Sequence, residues 1–371
     1  MGNEYKKIAL AGPDITEKEI EYVVDAVRNG WYETYDKDIR KLERTFAEMV
    51  GVKYAIATYC GTHALHLATI ALGLQPGDEV IVTDQSYIAT AQAISYVGAT
   101  CVFVDICPET LCINPGLIEQ AITEKTKAIM LVHFAGMSAD MDRIMEIAGN
   151  HHLKVIEDAC QMVGGRYKGR YCGTIGDIGA FSFQGSKIAV GGEGGMFVTD
   201  DEALYKRALH YGTFCRNDSI DYLWSDDVGY NYRISNVTAA LILAQIERLD
   251  ELVAKKKQIY EWYHVRFQQI AGIDLLKVGA ECESNYAYVV GFVNESCPVS
   301  RDTILKALQK KNIWARPGYP SMSAMPNYDR RFSVPISEKF WKAGITLPSA
   351  LNLTEEDVDR VCREISEIIS A

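Results

Sequence analysis

Between residues 54 and 156 the chain returns five times to a short apolar stretch: Tyr54–Ala57, Glu79–Val82, Cys101–Val104, Ala128–Val132 and Lys154–Ile156. These read as strands, and Ile88–Val97 reads as a helix between two of them. Most of the runs are too uniformly apolar for a sheet with one wet face. Strands buried on both faces and joined by helices imply a mostly parallel central sheet flanked by helices, an α/β fold. Such sheets bind ligands at the carboxyl ends of their strands and at helix N-termini, so the chemistry is expected there.

The ends of the chain have a different texture. Thr16-Glu17-Lys18-Glu19 is a capping box opening an apolar-periodic segment through Val23, Val24 and Val27, which stops at Gly30. Beyond about residue 240, a long charged helix, Gln245–Phe267, leads into a smaller unit with strand Tyr286–Val293 and helix Arg301–Lys311. The 371 residues exceed one simple domain. The expected division is a large domain over 1–245, including an N-terminal helical segment, and a small C-terminal α/β domain over 246–371.

Lys and Arg total 38 against 49 Asp and Glu, a net charge of −11, which argues against a general binder of nucleic acid or anionic membranes. No apolar run is long enough to cross a bilayer. The start, Met1-Gly2-Asn3-Glu4-Tyr5-Lys6, has neither the apolar core of a signal peptide nor the Ser or Thr at position 6 of a myristoylation signal. The ten cysteines are scattered without a Cys-x-x-Cys pair and read as reduced thiols, as in a cytoplasmic protein. His63 and His66 lie three apart on one helix with no carboxylate or cysteine to complete a metal set, so they read as packing or surface residues and no metal is expected.

Four segments carry candidate chemistry. Lys187 closes Phe181-Ser182-Phe183-Gln184-Gly185-Ser186-Lys187 and is followed by Gly192-Glu193-Gly194-Gly195. An amine among small, polar and glycine residues suits a phosphate-bearing cofactor, and it can form a Schiff base with an aldehyde such as pyridoxal phosphate. Taken alone, the segment also describes a solvated loop lysine. Gly61-Thr62-His63 follows a strand and opens a helix, where free amides and a hydroxyl make either a phosphate cradle or an ordinary helix start. In Glu157-Asp158-Ala159-Cys160-Gln161, a carboxylate at a buried strand end can keep a pyridine nitrogen protonated or simply cap a helix. Tyr87 stacks on a cofactor ring or belongs to the core, and Gly229–Asn236 is a polar, aromatic loop before a helix.

In this order the segments resemble the DegT/DnrJ/EryC1/StrS family of sugar aminotransferases, which have the type I fold of pyridoxal-phosphate-dependent transferases. The resemblance runs from Gly30-Trp31 and Phe46-Ala47 through Gly77-Asp78-Glu79-Val80-Ile81-Val82, Glu157-Asp158-Ala159, Phe181-Ser182-Phe183 with Lys187, Gly192-Glu193-Gly194-Gly195 and Tyr230-Asn231-Tyr232-Arg233. It implies that Lys187 carries the cofactor and moves the proton, that Asp158 pairs with the pyridinium nitrogen, and that Gln161 sits near the ring's phenolic oxygen. Tyr87 matches the stacking aromatic, and Gly61, Thr62 and Ser182 match the phosphate binders. Asn231 matches a residue that reaches the phosphate of the neighbouring subunit, which implies a homodimer with shared active sites. The implied reaction takes an amino group from L-glutamate or L-glutamine, leaves pyridoxamine phosphate, and aminates a keto sugar. Sugar 3-dehydratases that resemble the family carry histidine in place of the lysine, so Lys187 argues against dehydration.

Two features bear on the substrate. Ala315-Arg316-Pro317-Gly318-Tyr319-Pro320-Ser321-Met322 lacks the histidine the family often has there. Arg316 and Tyr319 remain candidate substrate contacts, Arg316 meeting an anionic group or forming only a surface ion pair. Gln184, two residues after Ser182, resembles the branch that aminates cyclitol ketones or makes aminobenzoate precursors. The rest of Phe181–Gly195 resembles 4-aminotransferases of the perosamine-synthetase type. The expectation is a nucleotide-linked 4-keto-6-deoxyhexose destined for a surface polysaccharide. The alternatives are an unlinked cyclitol, free keto or aldehydo sugar and, more distantly, a regulator that binds the cofactor without turnover.

Overall fold

Strand by strand, the apolar runs become one wall. A computed structural model describes residues 6–370; residues 1–5, on which most of the reading of the chain's start rests, lie outside the described residues, as does residue 371. The first half comprises α1 (Glu17–Asn29), α2 (Lys37–Val50), β1 (Tyr54–Thr58), α3 (Gly61–Ala71), β2 (Glu79–Thr83), α4 (Ala89–Tyr96), β3 (Thr100–Val104), β4 (Thr126–Val132), α5 (Met141–Asn150) and β5 (Lys154–Asp158). Then come β6 (Arg166–Tyr167), β7 (Arg170–Tyr171), β8 (Ile178–Ser182), β9 (Gly195–Thr199), α6 (Glu202–Gly212) and α7 (Asn236–Ile246). The remainder is α8 (Leu249–Phe267), β10 (Ile273–Leu275), β11 (Cys282–Glu283), β12 (Val289–Val293), α9 (Arg301–Lys310), β13 (Arg316–Pro317), α10 (Pro335–Ala343), β14 (Gly344–Leu347) and α11 (Glu355–Ser370).

The central sheet has seven strands in the order β1-β9-β8-β5-β4-β2-β3. It is parallel from β8 to β3, and β9 runs antiparallel to both β8 and β1. Alternate residues of each strand feed opposite cores. Ile81, Val102, Ile129, Leu131 and Val155 pack with Leu42 and Phe46 of α2, Ile144 of α5 and Ile242 of α7. Val80, Val82, Phe103, Met130 and Ile156 pack with Leu65 of α3, Ile94 of α4 and Ala208 of α6. Each fully buried Val, Ile or Leu contributes roughly 1.5–3 kcal/mol, so two covered faces explain why these strands tolerate almost no polar residue.

Helix α1 begins as its capping box implies: the backbone N–H and hydroxyl of Thr16 donate to Glu19 Oε2 at 2.7 and 2.6 Å. Burial pushes the Glu19 carboxyl up, but the Thr16, Arg248 and Gln245 bonds outweigh it and hold the group down at about 2. The same contacts break the helix expected over Gln245–Phe267. It is two helices, α7 and α8, because Arg248 turns back to pair with Asp14 and Glu19 of the N-terminal segment while also meeting Glu251. The strand expected from Tyr286 begins instead at Val289. Tyr286 is in the left-handed region at φ 53, after Asn285 folds its side-chain oxygen onto Ala287 N at 3.0 Å.

A second, antiparallel sheet, β10-β12-β14-β13, packs with α8, α9 and α11 around Tyr263, Ile304, Leu308 and Val361. Ile8 joins this core by exchanging backbone hydrogen bonds with Asn312 and Trp314. Two carboxylates at the ends of parallel strands fasten the segment between β13 and β14 over the main sheet. Asp84, just after β2, accepts from Ser321 Oγ and Ser323 N, and Asp105, just after β3, accepts from the backbone of Ile336 and Ser337 in the first turn of α10.

Candidate active site

The carboxyl end of β5 is held from behind. Glu157 is fully buried and accepts from His133 Nε2 at 2.8 Å and from the backbone N–H groups of Gly173, Ile175 and Gly176. His133 Nδ1 accepts from Ala139 N, which leaves the proton on Nε2, facing the carboxylate. Burial pushes Glu157 up, yet His133 and the backbone amides keep its carboxyl below the usual range. With Glu157 turned inward, Asp158 points the other way, into a cavity. Its Oδ2 lies 2.7 Å from the Thr90 hydroxyl and its Oδ1 accepts from Cys160 N at 3.1 Å. Gln161, one turn on, is fixed by Ala135 N, which donates to its Oε1 at 3.0 Å.

Opposite this edge, α3 starts without a side-chain cap: its N-cap residue, Cys60, makes no capping bond. A helix start with free amides and no cap is an anion site in waiting. The glycine at its first position is required by space, since a Cβ on Gly61 would stand 2.9 Å from both Cys160 Sγ and Ser182 Cβ. Ser182, the last residue of β8, brings its hydroxyl to the same corner. These residues fit a phosphate, and with Asp158 across from them they fit pyridoxal phosphate.

Lys187 ends a tight turn in which its N–H donates to the Gln184 carbonyl at 2.8 Å. The Gln184 side-chain oxygen accepts from Ser186 N at 2.9 Å and Ser186 Oγ at 2.6 Å, capping that turn from within. Gly185 N and Gly191 N bind the strap back on itself through Gly192 O and Phe183 O. Lys187 Nζ makes no hydrogen bond or ion pair among the described residues, so no acceptor holds it in place within the cavity. Burial would lower its pKa, but Tyr288, Cys160, Tyr319 and Asp158 together carry it above the ordinary lysine value.

Gly61, Thr62, Tyr87, Asp158, Gln161, Ser182, Lys187, Arg316 and Tyr319 all line one cavity of about 440 Å³. Asn231 does not. It is exposed in the stretch before α7, where it bridges to Thr213. Tyr87 stands at the rim, 61% exposed, with its ring 6.4 Å from that of Tyr319. Arg316 forms no ion pair among the described residues; its guanidinium lies 4.7 Å from the Tyr288 ring and 4.6 Å from the Tyr319 ring. His63 and His66 turn away from the chemistry, His63 stacking on Tyr232 at 3.8 Å and His66 Nδ1 meeting the Tyr232 hydroxyl at 3.0 Å. Thr90, Tyr288 and Glu193 also line the cavity and were not singled out as site residues from sequence. A threonine at a helix start and a tyrosine before a strand have no local signature, whereas Glu193 belongs to the Gly192-Glu193-Gly194-Gly195 segment.

Comparison with known proteins places the chain in a family. The sequence profile of the DegT/DnrJ/EryC1/StrS aminotransferase family matches residues 13–366. The chain is 40% identical over 366 residues to a GDP-perosamine synthase of Escherichia coli O157:H7, covering 98% of this chain and 99% of that protein. It is 37% identical over 374 residues to a GDP-perosamine synthase of Caulobacter vibrioides, covering 99% and 100%. Among solved structures, a putative sugar aminotransferase, Spr1654 of Streptococcus pneumoniae in its PMP form, superposes with a TM-score of 0.92 at 28% identity over 98% of both chains. The chain therefore belongs to the DegT/DnrJ/EryC1/StrS aminotransferase family and is a pyridoxal-phosphate-dependent aminotransferase.

Proposed function

We propose that this aminotransferase moves an amino group from L-glutamate or L-glutamine to a nucleotide-linked 4-keto-6-deoxyhexose, the guanosine-diphosphate-linked sugar being the first to test. The observation that carries the reading is one juxtaposition: the side chain of Lys187, the carboxylate of Asp158 and the Gly61–Thr62–Ser182 corner face a single cavity. The names of the two relatives, both GDP-perosamine synthases, support the nucleotide-linked sugar. Gln184, which alone resembled the cyclitol branch, has its side-chain oxygen occupied by Ser186, a local reason that needs no particular substrate.

When bound, pyridoxal phosphate supplies an aldehyde and an electron-withdrawing ring. In our reading Lys187 holds the aldehyde carbon and moves the proton at its own Nζ. Asp158 would present a carboxylate to the ring nitrogen, and Gln161 would serve the phenolic oxygen. Amides of Gly61 and Thr62 and the Ser182 hydroxyl bind the phosphate, and Tyr87 covers one ring face. Arg316, without a carboxylate partner among the described residues, is placed to receive an anionic group of donor or sugar nucleotide, with Tyr319 against it. Asn231, exposed outside its own chain's cavity, serves the phosphate of a second subunit in a cytoplasmic homodimer. The domain division falls at 245/246, beside the turn that separates α7 from α8.

The test is a half-reaction screen. The protein is loaded with cofactor, converted with L-glutamate, freed of donor and offered single ketones while the absorbance of lysine-bound cofactor is followed. Recovery with a nucleotide-linked 4-keto sugar and not with unlinked ketones is expected. Recovery only with unlinked ketones would overturn the substrate assignment.

A further inference from the structure

Asn231 sits between two tyrosines that anchor it to α3. Asn231 and Arg233 each form one antiparallel bridge, to Thr213 and Thr58, so the stretch runs as a short strand and its side chains alternate. The backbone is tied down as well: Tyr230 N donates to Tyr211 O at 2.7 Å, Tyr232 N to Gly212 O at 3.1 Å, and Tyr59 N to Tyr232 O at 2.9 Å. Tyr230 and Tyr232 share one side, their rings stacked at 4.9 Å and 21°. That side rests on α3. The Tyr232 ring lies 3.8 Å from that of His63, the Tyr230 ring meets His66 edge to face at 4.9 Å, and the Tyr232 hydroxyl is 3.0 Å from His66 Nδ1. Alternation turns Asn231 to the opposite side, where it is exposed.

His66 is 3% exposed, and its Nε2 has no partner among the described residues. A leucine would fill the space without burying an unbonded polar atom, so packing alone does not account for an imidazole here. What the imidazole adds is the bond at Nδ1. Burial, with His63 beside it, holds His66 down at about 4, and burial carries Tyr232 up to about 12. The bond therefore joins two neutral groups throughout the ordinary working range of pH.

We propose that His66 and Tyr232 are positioning residues for cofactor binding in trans. Their bond, with the ring stack on His63, sets the rotation of the Tyr230–Tyr232 stretch and hence the direction in which Asn231 leaves it, towards the phosphate held by a second copy of this chain. The proposal rests on the reading of Asn231 as that phosphate contact in a homodimer. Backbone bonds fix the register of the stretch, but a side-chain amide must also be aimed to donate to one phosphate oxygen. The same helix begins with Gly61 and Thr62, the proposed cradle of its own chain. One helix thus serves one site directly and the other through Tyr232. Loss of the Tyr232 hydroxyl should harm the neighbouring chain's site and spare the site of the chain that carries the change.

Heterodimers of differently tagged full-length chains test this. One chain carries Lys187→Ala, so the absorbance of lysine-bound cofactor reports on the other chain's site alone while pyridoxal phosphate is titrated in. Tyr232→Phe is placed either on the Lys187→Ala chain, whose Asn231 faces the reporting site, or on the reporting chain itself. Affinity should fall on the order of fivefold to tenfold in the first arrangement and by less than about twofold in the second. His66→Phe, which keeps a ring in the space and removes the bond, should repeat the pattern. Equal loss in both arrangements is the mark of a loosened fold and would overturn the proposal, as would loss only in the second or in neither. Asn231→Ala in the same two arrangements separates the proposal from the reading beneath it. If it weakens the reporting site only from the Lys187→Ala chain, the reading stands and Tyr232→Phe decides the proposal alone. If it acts from the reporting chain or not at all, the reading falls and the proposal with it.

Discussion

Asp158 and Thr90 are joined across the gap between β5 and α4 by a 2.7 Å contact from the threonine hydroxyl to Oδ2. A carboxylate that already accepts a hydroxyl and a backbone amide keeps one orientation and directs its remaining lone pairs into the cavity. Asp158→Asn keeps the shape and removes the charge that, in the function proposed above, would hold the cofactor's pyridine nitrogen protonated. Turnover should fall on the order of a hundredfold or more. Thr90→Val, which frees the carboxylate to rotate, should cost about tenfold, the size of one lost hydrogen bond. Steady-state rates of both variants, with cofactor content measured alongside, check the order of the two effects.

Lys187→Ala removes the only lysine that lines the cavity among the described residues. Turnover should drop to background, and the absorbance band of lysine-bound cofactor should disappear. Cofactor should still be held through the corner at Gly61, Thr62 and Ser182, which the substitution does not touch. Dialysis followed by cofactor analysis separates the two consequences. A variant with normal turnover would remove Lys187 from the reaction.

Gly61→Ala tests the cradle. The new Cβ would have to share space with Cys160 Sγ and Ser182 Cβ, each 2.9 Å away, so the first turn of α3 must shift away from β8. Phosphate binding by backbone amides depends on that position. Pyridoxal phosphate affinity should fall about tenfold or more, ~1.4 kcal/mol. Equilibrium titration of the apoprotein measures it, and an unchanged affinity would place the phosphate elsewhere.

These sites differ in how far the sequence alone announces them. Lys187, Asp158 and Gly61 sit in compact local segments at strand ends or helix starts, where a two-faced apolar pattern already says ligands will lie. Thr90 and Tyr288 reach the cavity from elements far from Asp158 and Lys187 in the chain, and nothing around them departs from an ordinary helix start or strand. The break between α7 and α8 was illegible for the same reason. Arg248 ends the helical run by pairing with Asp14 and Glu19, over 200 residues upstream, a contact no local window contains. Arg316 left two roles open in sequence. Among the described residues its guanidinium has no carboxylate partner and lies against two tyrosine rings, contacts that come from distant parts of the chain.

Asp105 bears on the Arg316–Tyr319 side of the cavity, the proposed substrate side, through α10. Its two oxygens accept the N–H groups of Ile336 and Ser337 and the Ser337 hydroxyl, each at 2.8–2.9 Å, serving as a remote cap for a helix that lacks its own side-chain cap. Asp105→Ala should cost about 1–3 kcal/mol of stability. The ridge carrying Arg316 and Tyr319 packs against this helix, since Phe340 of α10 closes on Gly318. The KM for the keto substrate should therefore rise more than kcat falls. Denaturant midpoints and steady-state kinetics read the two effects, and a loss confined to kcat would contradict the linkage.

Lys256 gives the stability a pH dependence of predictable sign. Burial lowers its pKa from the ordinary 10.5 to about 8 in the folded chain. Between those values the unfolded chain binds a proton that the folded chain does not, so stability must rise with pH. The contribution is fully present above 10.5 and is lost as pH falls through 8. At about 1.4 kcal/mol per unit the span amounts to ~3 kcal/mol. Lys256→Met removes this titration and leaves the Ala287 and Ser349 carbonyls without their donor, a penalty that does not vary with pH. Urea unfolding of both proteins from about pH 7 to 10 should therefore show wild-type stability climbing relative to the variant. Tyr288 and Lys187 titrate in both proteins, so their effects largely cancel in the difference. A flat difference would mean that the three oxygens around the ammonium already replace the water it lost on burial.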